Sequence, residues 1–281
     1  MKKLLLIAVT VLAVSAAWAQ KGSFKSYNYP NFKLHVYNTG DALGDASFII
    51  EGDRKVVTLE HPLFKENIKE FNDYITSLGK PIEIIIANYH TGGYADFHKH
   101  DVVMAEGMPE FEKGEIYGGM MQNFATIFGD AIDVRPHKKA SEVKFNTQKK
   151  WAGVEFDFSR GASTDFPAAS ILIGSKVYYT HWAPTKNHMS NLQLNSVAAI
   201  DAEIEATQKA LDSGAELFVG SHGGAASKSD AQFRITYLQK VKEIYNSTKD
   251  ADTFAQKLIA AYPDLAGAEG VKALATAIYP Q

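Results

Sequence analysis

The sequence predicts an α/β chain: two mixed β-sheets face to face, with helices outside them, in one domain. Three observations carry this. Short strand-like runs recur in both halves of the chain. Amphipathic helical stretches separate the later strands, as crossovers between parallel strands require. No linker rich in Pro, Gly or Ser divides the halves.

Residues 32–38 (FKLHVYN), 47–52 (SFIIEG) and 55–60 (KVVTLE) read as three strands, with Gly52-Asp53 as a hairpin turn. Phe64, Ile68, Phe71, Ile75 and Leu78 then recur at helical spacing, and Gly79 and Pro81 stop the helix. The β-branched run 82–87 (IEIIIA) is typical of a strand buried on both faces. Another strand is expected at 101–106, followed by a weaker helical region to about Phe128. In the second half, 151–158 (WAGVEFDF), 169–174 and 176–180 (KVYYT) are strand-like. A helix is expected at roughly 196–212, with Val197, Ile200, Ile204 and Leu211 on one face. The strand 215–221 (AELFVGS) follows, and from Ser227 the chain turns helical to Tyr279.

The bulk numbers narrow the function. The chain has 281 residues, 46% of them hydrophobic, and a formal net charge of -3. That suffices for one large core. Without a basic or acidic block, no nucleic-acid partner is expected. Lys2 and Lys3 precede an apolar run that ends in Ala17-Trp18-Ala19, the pattern of a signal peptide cut after Ala19. Residues 1–19 are therefore set apart from a domain at 20–281, and a periplasmic or secreted location is expected. No other segment is apolar enough to cross a bilayer, so no membrane attachment is expected after cleavage. Cysteine is absent, which removes disulfides and a lipid-bearing cysteine. Any metal must use His, Asp or Glu.

Five of the nine histidines share a position type. His61, His90, His181 and His222 each follow a strand, and His188 comes shortly after His181. In sheets fed by crossover helices, loops at strand C-termini gather on one edge, where sites form. Histidine is the commonest neutral metal ligand and a frequent general acid-base. The segment 98–101 (HKHD) also pairs two histidines with Asp101, but its place before a strand favours a solvated charged turn. Ser163 in 161–166 (GASTDF) lacks the strand-turn-helix setting of a nucleophile. Tyr179 and Trp182 are candidates to line a pocket.

The order of these features resembles the metallo-β-lactamase superfamily over roughly residues 34–224. The segment beginning NTGDALGD and ending in Glu60-His61 stands where that family has its opening hairpin and a strand ending in Asp. IIIANYHTGG stands at the HxHxDH metal loop, and ELFVGSHGG at the Gly-His-Gly segment. KVYYTHWAPTKNHMSN stands where a strand ends in Gly-Asp and one branch continues with Asn-x-x-His. The resemblance implies a four-layer αββα sandwich, with a C-terminal helical extension at about 225–281.

It also implies a metal site, carried over here only in part. His90 and His222 match family ligands, and Asn88 stands at the first histidine position. The Asp and last His of the loop are missing, and Gly92-Gly93 stands for the glycine pair. Residues 160–165 cover the fourth ligand without a histidine. The later Asp becomes Trp182, or His181 with a one-residue shift. The family's two-metal site is therefore not expected to form. A third ligand for one metal must come from His61, Glu60, His181, His188 or Asp45, with Glu60 and Asn88 otherwise supporting the loop. Two functions remain open. One is a hydrolase with a remodelled site, using one divalent metal (zinc, iron or manganese) or a metal-free histidine pair. The other is a non-catalytic descendant that binds a small ligand or a partner.

Overall fold

The computed structural model describes residues 21–94, 97, 99–137 and 139–279. The segment expected to be a signal peptide (residues 1–19) and His98 lie outside the described residues.

The first sheet has seven strands in chain order: β1 (Ser23–Asn28), β2 (Lys33–Asn38), β3 (Ala46–Glu51), β4 (Val56–Leu59), β5 (Ile82–Ile86), β6 (Val102–Ala105) and β7 (Ala140–Val143). β1 to β4 are antiparallel neighbours, and β4 to β7 run parallel. The second sheet has six: β8 (Thr147–Trp151), β9 (Val154–Arg160), β10 (Ala169–Ile173), β11 (Val177–Trp182), β12 (Leu217–His222) and β13 (Gly224–Ser227). Its β11–β12 pair is parallel, and the other pairs are antiparallel.

The side-chain alternation of strands builds four layers. Phe48, Ile50, Val57, Leu59 and Ile85 of the first sheet meet Phe156, Phe158, Ile171, Tyr179 and Val219 of the second in the central core. On the other face of the first sheet, Tyr37, Ile49 and Val56 pack on Phe71 and Ile75 of α1 (Lys65–Ser77). On the outer face of the second, Tyr178 and Phe218 pack on Ala210 and Ala231. Those alanines belong to α4 (Val197–Asp212) and α5 (Lys228–Asn246). Between β6 and β7 lie α2 (Met108–Phe111) and α3 (Glu115–Phe128). α6 (Ala251–Ala261) and α7 (Val271–Ile278) close a further apolar core with α4 and α5, built on Ile200, Leu238, Val241, Phe254, Leu258 and Leu274.

The expected αββα sandwich is therefore the observed one, with three local differences. The run 151–158 is a hairpin, not one strand. Ala152 (φ 52°) and Gly153 (φ 81°) turn the chain so that Trp151 pairs with Val154. Two successive positive φ values suit a two-residue hairpin turn. β1 and β7 add strands where none was expected. The chain after Gly224 first forms β13 against β12, and only then, capped by the Ser227 side chain, becomes α5. Among the described residues, no helix is long and apolar enough to cross a membrane.

Candidate metal centre at the strand ends

The parallel runs β4–β5 and β11–β12 deliver their C-terminal ends to one edge of the sandwich. His90 follows β5, His181 lies near the end of β11, and His222 closes β12. One ligand atom from each lies within 4.8 Å of the other two. The Nε2 atoms of His90 and His222 are 3.3 Å apart. Among the described residues, this is the cluster of titratable side chains with metal-ligand spacing.

Two of the three rings have an acidic side chain behind Nδ1, whereas His90 Nδ1 is buried without a hydrogen-bond partner. His181 Nδ1 lies 2.8 Å from Asp165 Oδ2. His222 Nδ1 lies 3.3 Å from Asp45 Oδ1, and the carbonyls of Leu43 and Gly44 also face that ring. Asp165 accepts from His181 Nδ1, so His181 Nε2 offers a lone pair to the centre. His90 is held through its backbone: its N–H and that of Tyr89 donate to Glu60 Oε2 and Oε1 at 2.9 and 2.8 Å. Aromatic faces cover two rings. Tyr89 stacks on His181 at 4.1 Å and Trp182 on His222 at 4.2 Å.

Burial sets the charge state. It drives His90 well below the ordinary histidine range, aided by the charges of His222 and His181. It pushes His222 down to about 3, again with His181 contributing. Both rings are thus neutral at physiological pH, as metal ligation requires. Asp45 is fully buried and pushed well up by desolvation, with Asp41 and Glu60 adding to it.

These residues fit a single divalent metal. Zinc binds imidazole nitrogen at 2.0–2.1 Å in tetrahedral geometry, which places two ligand nitrogens about 3.3 Å apart. The His90–His222 separation equals that edge. The donor set is neutral nitrogen with carboxylates behind it, a setting that suits zinc, iron or nickel better than calcium or magnesium.

The other expected ligands are not brought in. His61 sits beside Glu60, yet its ring points into the core between Tyr94 (4.6 Å) and Phe97 (4.2 Å). Its Nε2 meets Thr58 Oγ1 at 2.9 Å. The reason is local. Glu60 has φ 54°, and this left-handed step turns the chain between strand and helix. His188 lies among the C-terminal helices, with Nδ1 on Tyr237 Oη and Nε2 facing the Tyr262 carbonyl. Glu60 is spent on the two N–H groups and on the hydroxyls of Tyr179 and Ser221. Tyr179 is accordingly fully buried beneath the site and lines no pocket, whereas Trp182 is half-buried at the rim. His100 and Asp101 of the HKHD turn lie before β6 and outside the cluster.

The loop after β5 is built for packing. Asn88 is fully buried and uses both ends of its amide on one residue of the opposite sheet: Nδ2 donates to the Ala169 carbonyl and Oδ1 accepts from its N–H, each at 2.8 Å. A Cβ on Gly92 would stand 2.4 Å from Leu63 Cδ2, and one on Gly93 would stand 2.2 Å from the Pro62 carbonyl. At Gly93 the backbone itself excludes a side chain, and at Gly92 the Leu63 side chain would have to move. Asp165 was not singled out from sequence. The available signal was that a histidine presenting Nε2 to a metal needs an acceptor behind Nδ1.

Comparisons with known proteins agree on the fold. The chain is similar to a metallo-β-lactamase family protein from Thermus thermophilus (TM-score 0.56, 12% identity, 92% of this chain and 91% of that one). It is similar to the DIM-1 metallo-β-lactamase (TM-score 0.55, 13% identity, 79% of this chain and 98% of that one). It also matches the sec-alkylsulfatase Pisa1 from Pseudomonas sp. (TM-score 0.57, 15% identity), where it covers 87% of itself but 48% of that chain. No family model and no curated protein matches the sequence. The chain thus has the metallo-β-lactamase fold.

Proposed function

We propose that this protein is a single-metal hydrolase whose centre is His90, His181 and His222, acting on an uncharged acyl bond such as an ester, lactone or amide. The observation that supports it is the convergence of three histidines, one with Nδ1 hydrogen-bonded to Asp165 and another with Nδ1 3.3 Å from Asp45. A divalent metal there would supply Lewis acidity and a bound water acidic enough to yield a nucleophile near neutral pH. The chain's own residues bind and orient. Glu60 holds the His90 backbone, Asp45 and Asp165 hold the other two rings, and Trp182 walls the site beside His222. The groups that bear on His90 and His222 are one another, His181 and carboxylates. Arg160 and Arg234 are committed to backbone carbonyls. That surrounding favours a neutral substrate over a sulfate or phosphate ester.

Metal analysis tests the reading. Mature protein, stripped and reloaded with zinc, iron or manganese, should retain about one ion per chain. His90→Ala, His181→Ala and His222→Ala should each lose most of it. Retention near zero, with no turnover of generic esters and lactones, would overturn the proposal. A ligand that raises the melting temperature without turnover would instead support a binding protein. The same reading includes export: mass analysis of protein recovered outside the cytoplasm should show a chain that starts after Ala19.

A further inference from the structure

The loop between β9 and β10 covers the region where the resemblance puts a fourth ligand, and it brings no histidine to the cluster. It brings Asp165. Five hydrogen bonds fix how that side chain is presented. Arg160 Nη2 donates to the Asp165 carbonyl at 3.0 Å, and Nη1 donates to the carbonyls of Phe166 and Ala168. The Asp165 N–H donates to the Ala162 carbonyl at 3.0 Å. The Phe166 N–H donates to Asp165 Oδ1 at 2.8 Å. One carboxylate oxygen is thereby tied to its own loop, and Oδ2 is left to meet His181 Nδ1 at 2.8 Å.

We infer that Asp165 is a positioning residue for the metal centre: it holds His181 in the Nδ1–H tautomer, so that Nε2 faces His90 and His222. The physical need is specific. A neutral imidazole has one donor and one acceptor nitrogen, and only the acceptor can ligate. Tyr89, stacked flat on the ring at an interplanar angle of 8°, limits its tilt but cannot choose the tautomer. The carboxylate makes that choice. The loop has thus moved from supplying a ligand to supplying the acceptor behind one. This rests on the centre proposed above but does not need it to be a hydrolase.

Two measurements test it. Long-range 1H–15N NMR of the metal-free protein reads the His181 tautomer directly. The wild type should show Nδ1–H, and Asp165→Asn should show a mixture, because an amide can present either a donor or an acceptor. Zinc affinity, measured by competition with a chromophoric chelator, should fall about 10- to 100-fold in Asp165→Asn and Asp165→Ala. His181→Ala sets the floor, and Glu142→Gln on exposed β7 should match the wild type. Melting temperatures of the metal-free variants check that the fold persists. The inference is overturned if wild-type His181 carries its proton on Nε2, if the wild type binds no zinc, or if Asp165→Asn keeps its affinity within twofold. A wild type that binds zinc and loses it as described, yet hydrolyses nothing, upholds Asp165 and removes only the hydrolase reading.

Discussion

Asn88 stands where the resemblance puts a ligand, and the structure gives it a packing role. Its amide satisfies both backbone groups of Ala169 on the facing sheet. Asn88→Ala would leave a buried donor and a buried acceptor unmet, at about 1–3 kcal/mol each. A loss of about 2–4 kcal/mol in denaturant unfolding is expected. Asn88→His should also destabilise the protein and should not raise metal content above one ion, since Gly92 and Gly93 bring no ligand side chain beside it. A second ion in that variant would contradict this account. At this scale the sequence was partly legible. His90 and His222 stood out by their framing, and His181 by its strand exit. Asp165 stayed hidden because its partner lies 16 residues away. His61 shared the strand-exit signal, but the direction of a side chain after a left-handed residue is not written in spacing.

The joint between β4 and α1 is the element with a clear pH signature. His61 is buried there against Tyr94, Phe97 and Phe71, and burial pushes its pKa down to about 3. The unfolded chain protonates this histidine near pH 6.5, while the folded one does not until about 3. The unfolded state therefore binds more protons between those values, and stability falls as pH drops through that window. His61→Phe should remove its share. Between about pH 6.5 and 4.5 the variant should lose about 2–3 kcal/mol less than the wild type in parallel melts. Equal losses would show that another group carries the acid sensitivity. Elements with strong periodicity, such as α1, α4 and β5, were readable in advance. β1, with alternating polar residues, and β13, made of Gly, Ala and Ser, were not. Such short edge strands are set by the partner they pair with, not by their own composition.

Across the whole molecule, the C-terminal helices support the site as well as themselves. The buried Arg234 of α5 donates to the carbonyls of Trp182 and Ala183, the segment next to His181. His188 and Asn187 tie the following loop to residues 262–266. A chain ending at Gly224 would lose α5 to α7 and expose the apolar faces of α4 and the second sheet. It should aggregate or unfold without a cooperative transition. A monomer on size exclusion with a sharp melt would show that the helices are dispensable.

The three clustered histidines come from both sheets: His90 from the first, His181 and His222 from the second. A bound ion would therefore be a cross-link between the two halves of the sandwich, in a chain with no cysteine to make one. It would be a reversible staple, closed by metal and opened by a chelator. Asn88, reaching across to Ala169, is the permanent stitch beside it.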